Sequence, residues 1–297
     1  MLASLNSSIL SLGPIALGSA TFGREIDDAA SFALMDHAVA RGIKHFDTAA
    51  AYSAGASERI VGAWRASRRP TPGALSIATK VTTPYDPAAI TGSVEKSLVS
   101  LGGSIDLLYV HKWDPAVLDP SVLETLASFV RSGRVGALAA SNFTHDQLRR
   151  AIEQQSQLGL PRFRALQNNH NLAVREIDPP LRQLCADQGI AIVTFSPLGA
   201  GFLTGKHRDG VPKGSRFDLI PGHQRIYFQE QPQRRLGRLE AVAKRTGLSQ
   251  TQLALSWALH QPGSTVLVGG RTTAHIDQAF DAKAWYDPAI LAELDQA

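Results

Sequence analysis

With 297 residues and 44% hydrophobic content, the chain can bury a large core, and its length suits one α/β barrel. The 30 Lys and Arg against 26 Asp and Glu leave a net charge of +4, and the basic residues are scattered rather than clustered with aromatics, which argues against a nucleic-acid face. One cysteine, Cys185, excludes an intrachain disulfide, and no apolar run approaches the roughly 20 residues of a membrane span.

The first residues, Met1 to Leu12, lack a basic start, and Asn6, Ser7 and Ser8 interrupt their apolar run. They do not read as a signal peptide, so a cytoplasmic location is expected. From there short apolar runs alternate with helical patterns, which predicts βα units and a parallel sheet. The strands centre on Ile15, Phe46, Ile77, Leu108, Leu138, Leu166, Val193 and Leu267. Asp27-Asp28 opens a helix that Gly42 stops, and Ser57 is placed as the N-cap of the next. Pro87 sits in the first turn of a helix that ends at Gly102-Gly103. Pro120, Thr144 and Ser249 mark further starts, while Gly133 and Gly189 close helices. Cys185 falls in a helical pattern, with packing as its expected role. Gly205 to Gln233 carries several Gly and Pro residues without sustained periodicity and reads as a long loop after strand seven, at the face where a barrel gathers its functional loops.

An open doubly wound sheet would give the same alternation. Two features favour a (β/α)8 TIM barrel, read as a single domain over residues 1–297. The first strand is followed by "ALGSATFG", which lacks the G-x-G-x-x-G spacing of a dinucleotide-binding open sheet. Polar residues end strand after strand, namely Asp47, Lys80, His111, Asn142 and Gln167, as they do where a barrel builds a site at one face.

Those strand ends carry the chemistry. Asp47 closes "HFD", Tyr52 follows one short loop later, Lys80 ends "SIATK" and His111 ends "LLYVH". Singly, each has an ordinary explanation as a cap, a solvated cation, a surface aromatic or a satisfied histidine. Together they make an acid–base set in which Tyr52 donates a proton, Lys80 tunes the phenol and Asp47 holds the lysine.

In order and setting, "FDTAAAYSAGASERIVG", "IATK" and "LLYVH" resemble the catalytic tetrad of the aldo-keto reductases. The resemblance continues through "LGSATFG", "SNF", "LQNNHN", "FSPLGAGFLTGK" and "VGGRT". It implies a barrel whose floor is closed by a short N-terminal hairpin that includes Ser8 to Leu12. It also implies transfer of a hydride between a nicotinamide nucleotide and an aldehyde or ketone, with His111 orienting the carbonyl oxygen. Reduced nicotinamide is the expected hydride source also because the chain has no cysteine cluster and none of its nine histidines has metal-ligand spacing.

By the same resemblance Ser141, Asn142 and Gln167 bind the nicotinamide carboxamide and Phe195 stacks on its ring. The small, turn-forming run from Ser196 through Leu198 to Gly201 lets backbone amides approach the pyrophosphate. After strand eight, Gly269, Arg271 and His275 lead into a helix N-terminus suited to a phosphate. Arg271 favours NADP, with NAD as the alternative. At Gln278 and Ala279 the chain departs from the Glu-Asn pair that relatives often carry. Phe22, Trp113 and residues 217–227 are candidates for the walls of a pocket for a small carbonyl or alcohol. Other readings are an NAD-dependent sugar or alcohol dehydrogenase with the same tetrad, or a cofactor-binding regulatory subunit.

Overall fold

The computed structural model describes residues 12–296. The expected hairpin at Ser8 to Leu12 therefore lies outside the described residues, save for Leu12. Eight parallel strands close into a barrel in sequence order: β1 (Ile15–Gly18), β2 (His45–Asp47), β3 (Ser76–Val81), β4 (Ile105–Val110), β5 (Val135–Ser141), β6 (Ala165–Asn169), β7 (Ala191–Phe195) and β8 (Ser264–Val268). Each contains the residue on which the sequence centred it. The helices are α1 (Asp28–Ala40), α2 (Ala56–Arg68), α3 (Pro87–Leu101), α4 (Pro120–Arg131), α5 (His145–Gln157) and α6 (Pro179–Gln188). After β7 come α7 (Arg216–Leu219), α8 (Gln224–Tyr227), α9 (Glu230–Thr246) and α10 (Gln250–Leu259), and after β8 come α11 (Thr273–Ala284) and α12 (Pro288–Asp295). Among the described residues no helix is long and apolar enough to cross a membrane.

Local chemistry starts and stops these helices largely where the sequence placed the signals. Asp27 caps α1 by accepting from Ala30 N, Asp86 and Asp119 cap α3 and α4 with Pro in the first turn, and Thr144 forms a full capping box with Gln147. Gly102 and Gly189 end α3 and α6 in the left-handed conformation that glycine adopts without strain. Ser57 is a correction. The N-cap of α2 is Gly55, at φ 92°, because the Ser57 hydroxyl is turned inward. It meets Ser19 Oγ and Thr48 Oγ1, each at 2.8 Å, and so ties the loops after β1 and β2 to α2.

The segment read as a long loop is also more ordered than expected. It holds the short helices α7 and α8, and α9 begins at Glu230, inside the predicted span. Its helical turns are too short to show a period in sequence. Aromatic stacking holds it instead: Phe217 lies 4.4 Å from the ring of His207 and 5.7 Å from that of Tyr227. Cys185 is buried in α6, where burial pushes its thiol up to about 12, consistent with packing.

Alternation along the strands sets the site. Ala78, Leu107, Tyr109, Ala139, Ala165, Ala191 and Val193 form the barrel interior, whereas Ile77, Leu108, Leu138, Leu166 and Ile192 pack outward against the helices. Since strand side chains alternate with period two, Lys80, Ser141, Gln167 and Phe195 must share the interior face with Ala78, Ala139, Ala165 and Val193. They sit at the carboxyl ends. Register aligns them: Asp47 pairs with Ala78, Lys80 with Tyr109 and Ser141 with Gln167.

The helix layer is packed closely enough to test. An added Cβ at Gly62 in α2 would lie 1.8 Å from the carbonyl oxygen of Ser100 on α3. In an open helix Gly→Ala stabilises by up to about 1 kcal/mol. Here Gly62→Ala should destabilise by about 1–3 kcal/mol, as overpacking does. Urea unfolding would read this, and an unchanged or raised midpoint would contradict the α2–α3 contact.

Candidate active site

At the carboxyl mouth of the barrel, Lys80 is fully buried and forms an ion pair with Asp47, the last residue of β2. Its other donors reach the Thr48 carbonyl at 2.8 Å and the Tyr52 hydroxyl at 3.4 Å. Tyr52 opens a 3-10 turn, Tyr52–Gly55, whose Ser53 and Ala54 both have positive φ. Non-glycine residues in that region carry strain, and here the turn aims the phenol back over β3. The Lys80 ammonium lies 5.0 Å from the Tyr52 ring and 5.7 Å from that of Tyr109, so two tyrosine faces flank it. Burial pulls the ammonium toward neutrality. The charges and hydrogen bonds of Asp47 and Tyr52 outweigh that and raise its pKa above the ordinary lysine value, so it stays charged.

His111 follows β4, and its ring stands edge-on to Tyr52 with centroids 5.9 Å apart. Burial, then the charge of Lys80, lowers its pKa to about 4. At neutral pH His111 is therefore an uncharged hydrogen-bonding group.

Asp47, Tyr52 and His111 line a cavity of about 780 Å³, with Lys80 beneath its floor. Ser141, Asn142, Gln167, Phe195, Ser196, Leu198, Gly201, Gly269, Arg271 and His275 line the same cavity, so the structure brings the residues singled out in the sequence to one place. Two of them are committed in ways the sequence did not suggest. Gln167 Nε2 donates to Asp47 Oδ2 at 2.8 Å, which makes it part of the acid–base network. Asn142 adopts φ 59° and spends its amide N–H groups on His111 O at 2.8 Å and Ser141 Oγ at 3.0 Å, leaving its carbonyl oxygen free to accept.

The turn after β7 suits a nucleotide phosphate. Ser196, Gly199, Ala200 and Gly201 all have positive φ. Successive amides in such turns form anion-binding concavities. A Cβ at Gly201 would come within 2.6 Å of Lys206 Cε, so the lysine end lies directly over that turn, where φ of 93° favours glycine. Burial and then the charge of Arg271 lower the pKa of Lys206, which places two cations close together at this turn. Arg271 itself donates to Gly214 O at 2.9 Å, and His275 Nδ1 lies 2.9 Å from Thr272 Oγ1 at the start of α11.

Lys206, Arg24, Glu25 and Arg216 also line the cavity and were not singled out. Lys206 had a usable signal in "FLTGK", but the others sit in loops without periodicity. Conversely, Phe22 and Trp113 do not line it. Phe22 is fully buried, and Trp113 packs on Phe143 at 5.2 Å. Of residues 217–227 only Ile220 and His223 reach the cavity, because Phe217 and Tyr227 are spent on the loop's own core.

A closed parallel barrel thus carries, at one mouth, a buried lysine–aspartate pair in contact with a tyrosine hydroxyl, beside a turn suited to an anion. The chain belongs to the aldo/keto reductase family, whose model matches residues 14–296. It is 30% identical to "Protein tas" of Escherichia coli, over 90% of this chain and 88% of the relative. It is 31% identical to norsolorinic acid reductase B of Dothistroma septosporum, over 89% of this chain and 72% of the relative. It is 28% identical to a putative aryl-alcohol dehydrogenase of Schizosaccharomyces pombe, over 89% and 86%. Membership makes the chain an oxidoreductase of small carbonyl compounds, and members of the family generally use a nicotinamide nucleotide.

His45 gives the site a pH signature. It lies in β2 two residues before Asp47, fully buried, with burial first and then Lys80 lowering its pKa to about 4. An unfolded histidine takes up a proton near pH 6.5. Stability is therefore complete above that pH and is lost as pH falls toward 4, by roughly 2 kcal/mol between pH 7 and pH 5 from His45 alone. Urea unfolding at both pH values should show a smaller loss for His45→Phe than for the wild type. Equal losses would mean that His45 titrates normally.

Proposed function

We propose that the chain reduces aldehydes or ketones with NADPH, using Tyr52 as the proton donor. The observation that carries this reading is the contact from Lys80, itself paired with Asp47, to a tyrosine hydroxyl that opens on the cavity. When bound, the nicotinamide supplies a hydride to the carbonyl carbon. Tyr52 then gives its proton to the carbonyl oxygen, and the Lys80 ammonium stabilises the phenolate left behind. Neutral His111 donates its ring N–H to that oxygen and fixes its direction. Asp47 keeps the ammonium in place, and Gln167 keeps Asp47 in place. Ser141, Asn142 and Phe195 are the groups suited to hold the nicotinamide, and Lys206 and Arg271 those suited to its phosphates. In reverse the same groups oxidise an alcohol, a direction that the name of the Schizosaccharomyces pombe relative makes worth assaying.

Tyr52→Phe should bind nucleotide almost as the wild type does and lose about 10²- to 10⁴-fold in the rate of the chemical step. Single-turnover absorbance of the nicotinamide would measure it, and retention of more than about a tenth of the rate would remove Tyr52 from the role of acid. Arg271→Ala should weaken NADPH by about 10- to 150-fold, the size of a charge-assisted hydrogen bond, and NADH much less. Fluorescence titration with both nucleotides separates the cases. Equal losses would mean that Arg271 acts only through its tie to Gly214, leaving the choice of NADP without a residue.

A further inference from the structure

The first turn of α2 carries a buried acid that proton transfer does not use. α2 starts at Ala56, directly after the Tyr52–Gly55 turn, so its first residues set where that turn lies. Glu58 is buried there, and its bonded partner is a hydroxyl rather than a cation: the carboxyl accepts from Thr79 Oγ1 at 2.5 Å. Burial raises its pKa, against the hydroxyls of Thr79 and Ser97 and the charge of Lys80. The Ser97 hydroxyl, on α3, is buried and makes no hydrogen bond of ordinary geometry to any described residue, so Thr79 is the bond that holds the carboxyl. Burying a carboxyl beside a lone hydroxyl is costly, which makes the group a candidate for function rather than for stability.

Thr79 precedes Lys80 on β3. Parity sends Lys80 into the barrel and Thr79 outward, in register with the outward-facing Leu108. The Glu58 to Thr79 bond therefore joins the helix that follows the Tyr52 turn to the strand residue next to Lys80. This joint matters because the contact it governs is long. Lys80 Nζ lies 3.4 Å from the Tyr52 hydroxyl, near the limit of a hydrogen bond, so a slip of roughly half an ångström between α2 and β3 breaks it. The turn does not hold itself, since Ser53 and Ala54 both sit at positive φ and such strain persists only where the surroundings fix it. Within the turn, Ser53 Oγ donates to Phe22 O at 2.8 Å. Beyond it, Ser57 ties α2 to the loops after β1 and β2, whereas Glu58 ties α2 to β3, the strand that carries the lysine.

We propose that Glu58 is a positioning residue for proton donation, which acts through Thr79 to set the separation of Tyr52 from Lys80. The inference rests on Tyr52 as the proton donor. Glu58 and Thr79 lie outside the lining of the cavity that holds Tyr52, so their loss reaches the reaction through the tyrosine and the lysine rather than through contact with a ligand.

The test is a double-mutant cycle on Glu58→Leu and Thr79→Val, read as the single-turnover rate of carbonyl reduction at saturating NADPH. KM for the carbonyl compound, nucleotide affinity and the urea midpoint are measured in parallel. Each single variant should slow the chemical step by roughly 10- to 100-fold, the upper figure being the scale of a 1 Å misplacement, with KM and nucleotide affinity near the wild-type values. The double variant should be no slower than the slower single variant, because the two residues act as one unit. Thr79→Ser and Glu58→Gln, which keep the hydroxyl and an acceptor oxygen, should recover most of the rate. Should Glu58→Leu fail to fold, Thr79→Val, which keeps the side-chain shape, and its rescue by Thr79→Ser carry the test. Wild-type rates with a lowered urea midpoint would overturn the inference and leave Glu58 a clamp of the fold. Additive losses, or losses confined to nucleotide affinity, would also overturn it. In a Tyr52→Phe background Thr79→Val should cause no further loss, and a further loss of the same size would overturn the inference while leaving Tyr52 as the donor. A Tyr52→Phe variant that keeps the wild-type rate would sink the proton-donor reading, and the inference with it.

Discussion

A single buried ion pair, Lys80 with Asp47, is the constraint on which the rest of the site depends. Taking two charges out of water costs several kcal/mol for each ion, and their attraction repays this only when the remaining hydrogen-bonding capacity is also used. Here it is used. The ammonium reaches the Thr48 carbonyl and the Tyr52 hydroxyl, and the second oxygen of Asp47 accepts from Gln167. These partners come from β2, the loop behind it, β3 and β6, so the pair fixes the relative position of strands on both sides of the barrel. Moving any partner would leave a buried charge unsatisfied.

Around that pair the loops are also tied to one another. Thr21 Oγ1 donates to Gly270 O at 2.9 Å, joining the loop after β1 to the one after β8. Arg271 joins the β8 loop to the segment after β7 through Gly214, and Arg216 returns from that segment to Glu25 on the β1 loop. The three connections form a ring over one side of the cavity. Because each uses a charged or polar group, the shape of the mouth is coupled to its electrostatics, and a substitution made for charge will also act on loop position.

Much of this was legible in the sequence because strands impose a parity. Ala78 and Lys80, Ala139 and Ser141, and Ala165 and Gln167 are each two residues apart, so a small core residue announces that its polar partner faces the same interior. Strand centres and most helix caps follow equally local rules. Ser57 misled because a serine before a helix reads as a cap unless its tertiary partners, Ser19 and Thr48, are known. Phe22 and Trp113 misled because an aromatic near a site is as easily spent on packing. The charged cluster at Arg24, Glu25 and Arg216 was invisible for a different reason: Arg216 is 191 residues from Glu25 and meets it only when the loops fold.

If the Asp47–Lys80 pair exists for chemistry rather than for stability, removing both charges together should separate the two. Buried pairs replaced by neutral residues of similar size often leave a protein as stable or more so. The measurement is urea unfolding and single-turnover carbonyl reduction on the double variant Asp47→Asn, Lys80→Met. The expected result is a folded protein whose stability is within about 2 kcal/mol of the wild type or above it, with the chemical step slower by at least about 100-fold. A double variant that retained more than about a tenth of the rate would contradict the proposed part of the pair in the chemical step.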